Sequence, residues 1–153
     1  MGFLSKLKSS LTGSWADVTL DVAPAQRGET AAVTVDVAVK SETIRIKRVY
    51  VQFRCTEAVK ILNHQTGKRD AEGQTIVIDV RKSERLLNEE IVLAGAQELA
   101  AESHHHFEGE LRIPAHLPAS FEGRHASISW SAKASLDMKG NDPDSGWQNL
   151  EIR

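Results

Sequence analysis

The chain has 153 residues, and its 19 Lys and Arg against 21 Asp and Glu give a formal charge of −2 at pH 7. With 41% hydrophobic and 26% charged residues it has the composition of a folded globular domain, not that of a disordered, collagen-like or membrane-spanning chain. A single cysteine, Cys55, excludes an intramolecular disulfide and any metal site built from several thiolates.

Residues 1–13 are expected to form a short amphipathic helix ahead of one domain spanning 14–153. At the helical step, Phe3, Leu4, Leu7 and Leu11 share one arc of about 100°, and Lys6 and Lys8 flank it. Such a helix suits weak contact with an anionic membrane surface, a groove in a partner, or packing on its own domain. No apolar run of signal-peptide length follows, so the expected compartment is the cytoplasm. Gly2 begins a myristoylation pattern, but Lys6 stands where that pattern needs Ser or Thr.

From Trp15 onward the period is two residues. A first strand is expected over Trp15–Val22, then a turn over Pro24–Gly28. Val33, Val35, Val37 and Val39 alternate with smaller or polar residues, the clearest half-buried strand in the chain. Ile44 and Ile46 are even-numbered, whereas Val49, Val51, Phe53, Cys55, Val59 and Ile61 are odd. If both sets face one core, the phase slips near Lys47 and Arg48, as at a β-bulge. A turn is expected over Asn63–Gly73, with strands at Thr75–Val80 and Leu86–Leu93. Ala94–Glu102 holds good helix formers without an apolar stripe and reads as a loop with at most one helical turn. Further strands are expected at His104–Ile113, at Ile128–Met138 with serines on its wet face, and at Trp147–Ile152, parted by turns over Pro114–Gly123 and Gly140–Gly146. So many short strands cannot hide their apolar faces in one sheet, which argues for an all-β sandwich of two packed sheets.

The stretch Leu111-Arg-Ile-Pro-Ala-His-Leu-Pro-Ala-Ser-Phe-Glu-Gly123, followed by His125-Ala-Ser-Ile-Ser-Trp130 and Ala132-Lys-Ala-Ser-Leu-Asp137, resembles the Leu-Pro-x-Ser-Phe-x-Gly segment of arrestin-fold proteins and its following strand. The basic lead Met1-Gly-Phe-Leu-Ser-Lys-Leu-Lys is similar to that of bacterial sporulation-control members of the arrestin clan. The resemblance implies an immunoglobulin-like β-sandwich of the arrestin N-terminal-domain type. It further implies an adaptor or scaffold that binds other proteins and carries no chemistry of its own, in the setting of sporulation or stress regulation. Arrestins usually join two such sandwiches, and this length accommodates one.

Candidate chemistry is sparse. His104 and His106 share a strand face while His105 points away, so two imidazoles are placed for a metal. A third ligand would have to come from His116, His125, His64 or a carboxylate such as Glu102, and a histidine-based metal-binding or hydrolytic domain using His104, His106 and His116 is the competing reading. Cys55 continues an apolar face and reads as a small buried hydrophobe. Gly140–Gly146 reads as a hairpin turn and not a calcium loop. No nucleophile elbow, phosphate-binding loop or dinucleotide fingerprint is present, and basic residues do not interleave with aromatics as a nucleic-acid groove requires. The expectation is a protein without cofactor that binds protein partners and not nucleic acid. Sheet edges at Trp15–Val22 and Trp147–Ile152 are open to strand addition or self-association, with Trp15 and Trp147 as candidate anchors.

Overall fold

A computed structural model describes residues 15–153, and the expected amphipathic lead, including Phe3, Leu4, Lys6, Leu7, Lys8 and Leu11, lies outside them. The described residues form ten strands and no helix: β1 (Ala16–Val22), β2 (Thr30–Val39), β3 (Ile44–Ile46), β4 (Arg48–Arg69), β5 (Thr75–Ala94), β6 (Gln97–Leu99), β7 (His104–Arg112), β8 (Phe121–Glu122), β9 (Ala126–Asp137) and β10 (Gln148–Leu150). No helix long and apolar enough to cross a membrane is found among them. One sheet has the order β1-β2-β7, and the larger has the order β10-β9-β4-β5 with β8 attached to β9. A small pair, β3-β6, completes the set.

The sandwich follows from the alternating valines. Val33, Val35, Val37 and Val39 are at most 5% exposed, and across the core they meet Val49, Val51, Phe53 and Cys55 of β4 and Trp130, Ala132, Ala134 and Leu136 of β9. Phe53 and Trp130 lie with ring centroids 5.3 Å apart in the larger sheet. The small side chains of Ala132 and Ala134 follow Trp130 on the same face, so bulk alternates with space and the layers interdigitate.

The Leu-Pro-x-Ser-Phe segment acts as a clasp. Leu117 is buried, the Trp130 Nε1–H donates to the Pro118 carbonyl at 3.0 Å, and Ser120 Oγ accepts from the Ile152 N–H at 2.8 Å. Thus one loop satisfies the buried indole and ties down the last strand. The Gly140–Gly146 segment is a turn folded back on β9, with the Asp142 carboxylate accepting from Tyr50 Oη at 2.9 Å and from the Met138 N–H at 3.2 Å.

Four local expectations need correction. The phase slip near Lys47 is a break between strands and not a bulge, because β3 pairs with β6 whereas β4 pairs with β5 and β9. The turn expected over Asn63–Gly73 shrinks to Asp70–Gly73, since strand pairing continues to Arg69↔Thr75. Asn63 and Gly67, the residues that suggested a turn, instead take positive φ (55° and 74°) inside β4, where the register shifts and bulges absorb them. Thr75–Val80 and Leu86–Leu93 are two halves of one strand, with Leu86 unpaired between Thr56↔Arg85 and Cys55↔Leu87. Finally, Ala94–Glu102 contains the strand β6, whose Leu99 is fully buried, and not a helical turn.

Trp130→Ala removes a fully buried ring and strands the Pro118 carbonyl, so it is expected to cost about 3–5 kcal/mol of unfolding free energy, measured by denaturant titration.

Candidate functional site

The expected anchors sit on different sheets. Trp15 precedes β1, an edge of the smaller sheet, and is 45% exposed; its carbonyl accepts from the Lys40 N–H at 3.0 Å. Trp147 precedes β10, an edge of the larger sheet, and is 40% exposed. The Arg54 guanidinium stacks on the Trp147 ring at 3.8 Å, and the Lys133 ammonium lies 5.2 Å from the ring centroid. Burial and the neighbouring Arg85 lower the Arg54 pKa from its usual value. The result is an aromatic platform with two cations against it, on the outer face of the larger sheet and next to an open strand edge.

The remaining edges are β7 and β5, and β5 is the longer. β9 accompanies β4 only as far as Val59↔Ala126, so beyond that point β4 and β5 pair only with each other. This two-stranded arm carries Leu62, Ile76, Val77 and Ile78, each between 37% and 48% exposed. An isolated two-stranded hairpin is marginal in water, and this one leaves several apolar side chains exposed. Sequence reading missed the arm because its Asn and Gly residues look like a loop; the alternating Ile76, Ile78 and Val80 were the available signal.

The histidine cluster is organised differently from a metal site. His104 and His106 do share the outer face of β7, and His105 turns inward beside Phe107 with ring centroids 6.4 Å apart. His106, however, meets Asp36 Oδ1 through Nδ1 at 2.7 Å and Glu108 Oε1 through Nε2 at 3.1 Å, which occupies both ring nitrogens. His116 lies beyond the opposite end of β7, in the connection before β8, so the expected trio His104, His106 and His116 is not assembled. Among the described residues no three His, Cys, Asp or Glu side chains are grouped to hold a metal ion. A shallow depression of about 400 Å³ lined by Asp17, Thr19, Asp36, His104 and His106 remains on this face. Cys55 is fully buried, and burial pushes its thiol up to about 11, the setting of a packing residue and not a nucleophile.

The structure gives two checks on this face. The hydrogen bonds to Asp36 and then Glu108 raise the His106 pKa above 6.5, so protonated His106 favours the fold below pH 6.5, and that contribution fades as pH rises through the folded-state value. An NMR titration is expected to place the His106 midpoint above 6.5, and Asp36→Asn to bring it down. Zinc added to the protein is expected to leave the thermal midpoint unmoved, since a strand face with two histidines, one of them already bonded to Asp36 and Glu108, offers no closed coordination shell.

Comparison with known proteins bears on this geometry. The family model described as Arrestin (or S-antigen), N-terminal domain, matches residues 26–148. Among solved structures the chain is similar to the crystal structure of Spo0M, a sporulation control protein from Bacillus subtilis, with a TM-score of 0.62 and 16% identity. That match covers 92% of this chain and 50% of the other, so the chain spans about half the length of that structure. A second similarity, to the alkylpurine DNA glycosylase AlkC of Pseudomonas fluorescens bound to DNA, covers 99% of this chain and 35% of that one at 13% identity, with a TM-score of only 0.44. No curated protein sequence matches the chain.

Proposed function

The chain belongs to the arrestin N-terminal domain family, and on that premise we propose that it works as a non-enzymatic adaptor that binds other proteins through its sheet edges. The observation that carries this reading is the placing of exposed Trp147, with Arg54 and Lys133 against its ring, beside the open edge of β10. An extended peptide added along Gln148–Leu150 gains main-chain hydrogen bonds from the edge and side-chain specificity from the indole and its cations. Acidic or aromatic residues in that peptide suit the platform. Trp15 at the start of β1 offers a second, smaller anchor on the other sheet. A cytoplasmic role in bacterial sporulation or stress regulation fits the proposal, because an adaptor of this kind acts by bringing regulators together. In the same reading, residues 1–13 add weak attraction to an anionic membrane surface.

The test is capture of binding proteins by the full chain, quantified by mass spectrometry, beside the variants Trp147→Ala and Asn149→Pro. Partners bound at this edge are expected to fall at least about fivefold with either substitution, the range for loss of an aromatic anchor, while the thermal midpoint holds. Undiminished capture by both variants overturns the β10 site, and measured turnover of a substrate by the purified protein overturns the non-enzymatic reading. For the lead segment, Lys6→Glu with Lys8→Glu is expected to reduce co-sedimentation with anionic vesicles. Equal pelleting with and without the two substitutions removes the membrane contact.

A further inference from the structure

The edge of β5 pairs with no other strand among the described residues along the whole of Thr75–Ala94. Edges of that length are usually blunted by charged side chains, lysine above all, or covered by another segment. The charges on β5 are of both signs. Arg81 and Lys82 lie on one side of the Arg85–Leu86 bond, and Glu89 and Glu90 lie on the other side at matching distances. Farther out in both directions the strand turns apolar, with Ile78 and Val80 on one side and Ile91 and Leu93 on the other.

From this arrangement we propose that two copies of the chain pair antiparallel along β5 about a two-fold axis at the Arg85–Leu86 bond, joining the two larger sheets into one. In that register Lys82 faces Glu89 of the second copy, Arg81 faces Glu90 and Val80 faces Ile91, each pair occurring twice by symmetry, and the regular register ends before Leu93, where β5 shifts again. The bulge at Leu86 makes the register possible. Val51 is fully buried and opposite Ile91, and Ile61 is opposite Val80, so odd-numbered residues from Leu87 to Ile91 and even-numbered residues before the bulge share the core-side face, up to a second shift at Leu93, where Tyr50 is opposite Val92 and Val49 opposite Ala94. A two-fold at the 85–86 bond joins even to odd numbers, which in a regular strand sets opposite faces together and here sets like faces together.

Neighbouring registers are disfavoured. Sliding one strand by two residues puts Asp79 against Glu90, and sliding it the other way puts Glu84 against Glu89, so each shift opposes like charges. Within one copy Glu90 already meets Arg48, and Arg81 lies 4.0 Å from Asp79, so the second copy extends existing pairs there. Asp79 faces Val92 at the solvent side of the pairing, and Glu84 and Arg85 face Leu87 and Leu86 beside the axis. The pairing also covers the arm. Its apolar stripe of Ile76, Ile78 and Val80 comes to lie next to Ile91 and Leu93 of the other copy, where Leu93 packs against Gly109 of β7. A methyl group at Gly109 would stand 2.2 Å from Leu93 Cδ2, which shows how closely the two sheets approach along this border.

The inference shares with the adaptor reading only the use of open edges, and it concerns a different edge. Sedimentation equilibrium of the full chain at low salt, up to the highest soluble concentration, is expected to show a reversible dimer that weakens with salt. Lys82→Glu and Glu89→Lys each set like charges opposite one another twice per dimer, and each is expected to raise the dissociation constant at least about tenfold. An equimolar mixture of the two variants restores opposite charges at both 82–89 pairs, so it is expected to recover association near that of the unmodified chain. Thermal midpoints equal to the parent's establish that the variants fold. A chain that stays monomeric overturns the dimer and leaves capture at β10 unaffected. Association indifferent to both substitutions, or a mixture that does not recover it, overturns the register.

Discussion

The fold depends on the burial of Trp130. Its ring fills the middle of the larger sheet against Phe53, and its one polar atom is satisfied by the Pro118 carbonyl from a loop that crosses the end of the sandwich. An indole buried without that acceptor would carry an unmet N–H in an apolar layer. The same loop continues to Ser120, whose hydroxyl holds the backbone of Leu150 and Ile152. One aromatic side chain therefore couples the core to the position of β10 and the edge it exposes.

That coupling explains which parts of the sequence were legible. Strands with one face in the core show strict alternation, as Val33–Val39 and Ile128–Ala134 do, because each residue is asked to be either dry or wet, whereas Ser135, expected on the wet face, is buried where Asp144 pairs with it. The two-layer arrangement followed from the number of such strands, and the Leu-Pro-x-Ser-Phe segment carried the family likeness because its spacing serves the clasp. The arm was not legible for the converse reason. Beyond Val59 neither face of β4 is held against the core, so the residues between Asn63 and Gly73 are free to vary in a manner that looks like a loop. The positive φ at Asn63 and Gly67 is compatible with a turn or a bulge, and only continued pairing with β5 decides between them.

At the candidate sites, chain position identified β1 and β10 as edges, and both are edges. What the sequence did not reveal is the placing of Arg54 and Lys133 against Trp147, because those residues come from β4, β9 and the segment just before β10, brought together by strand register. The histidines illustrate the opposite case. Local spacing placed His104 and His106 on one face correctly, but cross-strand pairing set Asp36 opposite His106, and with Glu108 on the same face both ring nitrogens of His106 are hydrogen-bonded.

A sandwich built from open sheets leaves four edges, and the protein treats them unequally. β10 is only three residues long and is flanked by Trp147, so it offers a short, specific contact. β1 is tied at its start by Lys40, through the Trp15 carbonyl and the 3.5 Å pair with Asp17. β7 borders β5 at Gly109 and Leu93, so its approach is narrowed by the neighbouring sheet. β5 alone is both long and open, and it is the strand with a bulge at its centre. A bulge in an edge strand ordinarily discourages pairing, because it breaks the regular sequence of outward-facing N–H and C=O groups. A second strand with the same bulge at the same place restores the match, since both strands change phase together. An irregular edge of this kind rejects most extended segments and accepts its own sequence, which is how a long open edge gains specificity without being covered.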